Sequence, residues 1–82
     1  MAKQPGANVN GRPFDQITIN TIWQKAQVIQ GYDSNEHRKD RCGAWIKRSS
    51  YGTTGDYGWE VDHMKPVAKG GTDDTNNLQP LH

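Results

Sequence analysis

Residues 59–82 read WEVDHMKPVAKGGTDDTNNLQPLH. Trp59 and Val61 alternate with Glu60 and Asp62, the period of a strand with one apolar and one polar face. That strand ends on the pair Asp62-His63. A long connection follows: Pro66 permits an extended run through Val67, and Gly70-Gly71 permits backbone angles that a Cβ would forbid. Asp73 and Asp74 stand just before Asn76-Asn77. Residues 78–82 can pair as a second strand, with Pro80 confined to an edge or bulge because it has no amide to donate. The stretch therefore predicts two antiparallel strands joined by a long loop.

The end of the first strand carries the chemistry. Phosphodiester hydrolysis needs a base for the attacking water, neutralisation of the transition-state charge and stabilisation of the leaving oxygen. His63 can serve as base near neutral pH. Asp62 can hold a divalent cation, which supplies the other two. Asn77 both donates and accepts. It lies fourteen residues after His63, where it can bond across the loop and fix the position of the histidine.

Working outward, residues 14–30 carry an apolar stripe of Ile19, Ile22, Trp23, Ala26 and Ile29 at helical spacing. Asp15 or Thr18 can cap this helix, and Gly31 suits the position after its end. Residues 1–13 read as a flexible polar arm, and 14–82 as one domain. Residues 33–35 read as a turn or cap before a short helical turn at 36–39, residues 44–47 as a short strand, and residues 49–58 as a glycine-rich loop. The expected core is Ile19, Ile22, Trp23, Ala26, Ile29, Trp45, Trp59, Val61, Val67, Leu78 and Leu81. His37 is expected at the surface, and Cys42 as a half-buried packing residue.

Composition narrows the classes. Eighty-two residues with 32% hydrophobic content and a mean hydropathy of −1.01 allow one small domain with a modest, aromatic-rich core. A net charge of +1 excludes polyanion binding driven by bulk charge. The basic residues are uneven, however. Arg38, Lys39, Arg41, Lys47 and Arg48 fall within residues 36–48, a candidate surface for a phosphate backbone. A single cysteine permits no internal disulfide, fits a reducing compartment and excludes a paired Cys-x-x-Cys zinc knuckle. No apolar run is long enough for a membrane span, and no apolar signal segment opens the chain.

The strings YGWEVDHMKPVAKGGTDD (57–74) and NNLQPLH (76–82) resemble an HNH (His-Asn-His) endonuclease of the ββα-metal type. GYD at 31–33 and RKDRCGAWIKR at 38–48 resemble the lead-in of small bacterial and phage members. The resemblance implies an α+β fold: an N-terminal helix, then the short antiparallel strands of a ββα-metal motif at 57–82. It also implies one divalent ion (Mg²⁺, Mn²⁺ or Ni²⁺), DNA as the nucleic-acid partner and a cytoplasmic setting in a bacterial or phage-infected cell. Asp62 matches the family's metal-binding Asp, His63 its general base, and Asn77 its loop-ordering Asn. The family's second metal ligand sits on a helix after the second strand, which lies beyond these residues. His82 comes too early to match that ligand and is carried as a stand-in. The expected motif is thus incomplete, and self-association or a partner chain could complete it. The alternative is a catalytically incompetent HNH-like module, of phage type, that binds nucleic acid or protein.

Overall fold

A computed structural model describes residues 6–82. The fold is α+β, one helix with two separate two-stranded antiparallel sheets. Helix α1 (Gln16–Trp23) starts at Asp15, whose carboxylate accepts the Thr18 amide at 2.7 Å. Hydrogen bonds from the Thr18 hydroxyl and amide hold the Asp15 carboxyl below its usual range. Ile22 and Trp23 are its buried residues.

The helix ends at Trp23, well short of the predicted residue 30. The reason is Arg38. Its guanidinium is buried and donates to the carbonyls of Trp23, Gln24, Ala26 and Ser34, and to Oε1 of Gln24. These include the carbonyls that a helix end leaves without partners. The fork also lies over the Trp23 ring, 5.5 Å from its centroid. Burial pushes the Arg38 pKa down, and the nearby Arg48 adds to the effect. Past the helix the chain turns over residues 24–26, and Gln27 then pairs with Lys39. Ala26 is buried there without being helical, and Ile29 is only partly buried.

Residues 36–39 form a strand where a helical turn was expected. Strand β1 (His37–Lys39) pairs with β2 (Trp45–Lys47), and Arg38 stands opposite Ile46. The hairpin turns on Asp40, which is 2% exposed. One carboxylate oxygen accepts the amides of Cys42 and Ala44 at 3.0 and 2.9 Å. The other accepts the His82 amide at 3.0 Å, which ties the hairpin turn to the far end of the chain. Cys42 itself is exposed rather than half-buried.

Strand β3 (Glu60–His63) pairs with β4 (Leu78–Leu81), with Asp62 opposite Gln79 and His63 opposite Leu78. Trp59, predicted inside the strand, instead bridges to Tyr51. Pro80 is accommodated because a two-stranded sheet has only edges. The Lys25 ammonium donates to the carbonyls of Leu78 and Thr75, pinning the turn after α1 onto β4.

The core is Phe14, Ile22, Trp23, Ala26, Ile46, Trp59, Val61 and Leu78, with Ile19 and Tyr51 packed against it. Trp23 and Trp59 meet at 5.3 Å between ring centroids. Phe14 and Ile46 were not expected there. Trp45 was, but strand alternation turns Ile46 inward and Trp45 outward. On that outer face Trp45 stacks with Tyr32 at 4.6 Å and joins a ring cluster with a half-buried His37 and Tyr57. Val67 and Leu81 are also only partly buried. Among the described residues no helix is long and apolar enough to cross a membrane.

The arm expected over residues 1–13 is described from Gly6 onward. Those residues form a closed loop: Ala7 bridges to Pro13, and the Asn8 amide donates to the Arg12 carbonyl at 2.7 Å.

Two substitutions test this packing. Arg38→Met strands several buried carbonyls and should lower unfolding free energy by about 3 kcal/mol in urea titration. Unchanged stability with weakened DNA binding would instead return Arg38 to the surface. Asp40→Ala removes an acceptor shared by three amides and should cost about 2–3 kcal/mol. Hydrogen exchange should then accelerate at Ala44 and His82 together.

Candidate active site

The two residues at the end of β3 leave it on opposite faces. His63 points inward with Leu78 opposite, is 5% exposed, and has the Phe14 ring 5.8 Å from its own. Asp62 points outward beside Gln79. The outward face is the more accessible one, and the strand does not bring the two side chains onto a single face.

His63 has two unlike ring nitrogens. Nε2 lies 2.8 Å from Oδ1 of Asp73. A carboxylate can only accept, so Nε2 carries the proton and donates. Nδ1 is buried and has no hydrogen-bond partner. Asp73 is held in turn by the Val9 amide, which donates to both carboxylate oxygens at 3.1 and 3.2 Å. The residues that flank β3 in space therefore include part of the N-terminal loop.

Asn77 organises the connection between β3 and β4. Its Oδ1 accepts the Lys65 amide at 2.8 Å, and its Nδ2 donates to the carbonyls of Lys65 and Thr72 at 3.2 and 2.8 Å. Its own carbonyl accepts the Met64 amide at 2.8 Å. The loop folds tightly enough that only glycine fits at 71, where a Cβ would run into the Lys65 carbonyl. Gly70 takes the left-handed conformation, with φ of 89°.

The Asp62 side chain makes no hydrogen bond or ion pair among the described residues, so its carboxylate is uncommitted. Next to it on the sheet, Oε1 of Gln79 accepts from the Arg41 guanidinium at 3.1 Å. Arg41 thus joins the Asp62 face. The described residues contain no group of three His, Cys, Asp or Glu side chains able to hold a metal. Asp62 fits one hard oxygen ligand of a divalent ion, not a complete cage.

Two sequence expectations fail here. His82 is not a second metal ligand beside Asp62. The register puts Leu81 opposite Glu60, so His82 lies at the other end of the ladder from His63, roughly 13 Å along the strand. Its Nε2 lies 2.8 Å from the Asp56 carbonyl. Arg38 is not a phosphate contact, because its guanidinium is buried against backbone carbonyls. The remaining cations are dispersed. Lys39 and Lys47 alternate outward on the other sheet, Lys39 lies 4.8 Å over the Trp45 ring, and Arg48 opens the following 3-10 turn. Only Arg41 stands near Asp62.

Sequence reasoning missed Asp73 and Phe14. The one available signal for Asp73 was an acidic residue placed between a Gly-Gly turn and the Asn that closes the loop. Nothing in the sequence marked Phe14 as a neighbour of His63.

No curated protein and no solved structure matches the chain. The family model for the HNH endonuclease matches residues 40–82, just over half of it. The matched region holds both strands of the second sheet, the loop between them, and Asp62, His63 and Asn77. This chain belongs to the HNH endonuclease family.

Proposed function

We propose that the chain is a metal-dependent endonuclease that hydrolyses phosphodiester bonds in DNA. The observation that carries this reading is the asymmetry of His63. One ring nitrogen is fixed by Asp73, and the other is buried with nothing to bond. A buried polar atom without a partner costs about 1–3 kcal/mol. Such an atom calls for a reason, and a catalytic role is one. With the proton on Nε2, the buried Nδ1 keeps the lone pair that a general base needs, and an attacking water reaches it once the cover over the ring opens.

The other residues divide the remaining work. Asp62 supplies a carboxylate ligand to the divalent ion. When bound, that ion neutralises charge on the phosphoryl group and stabilises the leaving oxygen. Asn77 keeps the loop closed, and with it the acceptor that orients His63. Arg41 stands on the Asp62 face, where a guanidinium can hold a phosphate oxygen.

A second reading is favoured by one observation. The His63 side chain is only 2% exposed, and Phe14 packs on its ring. A family member that binds nucleic acid without cutting it would tolerate such a covered histidine.

Nicking of supercoiled plasmid with Mg²⁺, Mn²⁺ or Ni²⁺ separates the two. The wild type should nick, and His63→Ala should lose about 10²- to 10⁴-fold in rate. Asp62→Ala should lose activity at low metal concentration and recover part of it at high. Wild type that never cuts but binds DNA with a steep salt dependence would establish the second reading.

A further inference from the structure

The geometry points to Asp73 as the positioning residue of the catalytic histidine, holding the His63 ring by its Nε2–H and leaving Nδ1 as the nitrogen without a partner. The inference rests on the hydrolytic reading above, in which His63 is the base.

Four observations converge on it. The Nε2 to Oδ1 distance of 2.8 Å is that of a well-formed charge-assisted hydrogen bond. The imidazole is almost fully buried, so water cannot substitute for the carboxylate as its partner. The Asp73 carboxylate is not free to swing away, because the Val9 amide donates to both of its oxygens. The backbone that carries Asp73 is also fixed: Thr72 gives its carbonyl to Asn77, and Asp74 takes up the Asn76 amide at 2.9 Å.

The chemical consequence concerns the tautomer. A neutral imidazole can carry its proton on either nitrogen, and only one tautomer leaves Nδ1 able to accept a proton. A fixed acceptor at Nε2 selects that tautomer and sets the ring plane. As Nδ1 takes a proton from water, the imidazole becomes a cation, and the adjacent carboxylate stabilises it without itself taking the proton. This is the role that an orienting carboxylate plays wherever a histidine base is paired with one. The N-terminal loop enters through Val9, which buttresses the carboxylate rather than touching the reactant.

Nitrogen-15 NMR of the His63 ring and steady-state nicking kinetics test this together. In the wild type, Nε2 should be the protonated nitrogen and Nδ1 the bare one. Asp73→Ala should give a mixture of tautomers and lower kcat about 10- to 100-fold with KM little changed. Asp73→Asn keeps an acceptor oxygen and the size of the side chain. Its amide oxygen can hold the ring but carries no charge to stabilise the imidazolium, so it should restore the Nε2–H tautomer and only part of kcat, and it guards against a fold defect in the alanine variant. An unchanged tautomer and unchanged kcat in Asp73→Ala would overturn the proposal. So would a folded Asp73→Asn that fails to restore the Nε2–H tautomer. Wild type that does not cut, with the tautomer still lost in Asp73→Ala, would overturn the hydrolytic reading and leave the orienting contact supported.

Discussion

The side-chain amide of Asn77 is the constraint on which the site depends. It closes a loop of irregular backbone by making three hydrogen bonds at once, two of them to a single residue, Lys65. Only an amide can do this, because the loop offers both a donor and acceptors within reach. Closure draws the backbone so tight that position 71 must be glycine. It also leaves Asp73 against the ring of a histidine ten residues earlier. The His63–Asp73 geometry is thus a by-product of loop closure, and the strands contribute mainly a rigid place to start and finish.

The rest of the domain holds those strands in place with few apolar residues. Trp23 and Trp59, the two largest fully buried side chains, meet at its centre. Two buried charged groups do what a larger core would do elsewhere. Arg38 satisfies the end of α1 and turns the chain into the hairpin, and Asp40 satisfies the hairpin turn and the His82 amide. Each sits among partners that use its hydrogen-bonding capacity, the condition under which buried polar groups specify a structure rather than weaken it. The two sheets share no strand pairing, so Asp40 to His82 and Lys25 to Leu78 are among the polar links between the hairpin, the helix and the motif.

What the sequence disclosed follows from the range of the forces involved. Alternation at residues 59–62 and the Gly-Gly turn act over a few residues, and they announced β3, β4 and the loop. The apolar stripe at Ile19, Ile22 and Trp23 announced the helix. Its length was misjudged because Arg38, fifteen residues beyond Trp23, takes the carbonyls at its end, and no local signal records that. The basic segment misled for a related reason: charge alone cannot tell a guanidinium that meets phosphate from one that caps a helix. His82 looked like a ligand by residue type, but strand register decides which end of the ladder it occupies. Asp62, His63 and Asn77 were legible as a pattern. Asp73 was not, because its contact with His63 exists only once the loop has closed.

We propose that His63 acts as a base, held at Nε2 by Asp73 and without a partner at its buried Nδ1. His63→Ala would leave a buried cavity the size of an imidazole ring, with Asp73 at its back. Added imidazole can fill that space and bind the same carboxylate. The account predicts that free imidazole restores DNA nicking to His63→Ala in a saturable manner, and does not do so when Asp62 is also removed. A folded His63→Ala protein that imidazole fails to rescue, or one that nicks as well as the wild type without it, would contradict the account.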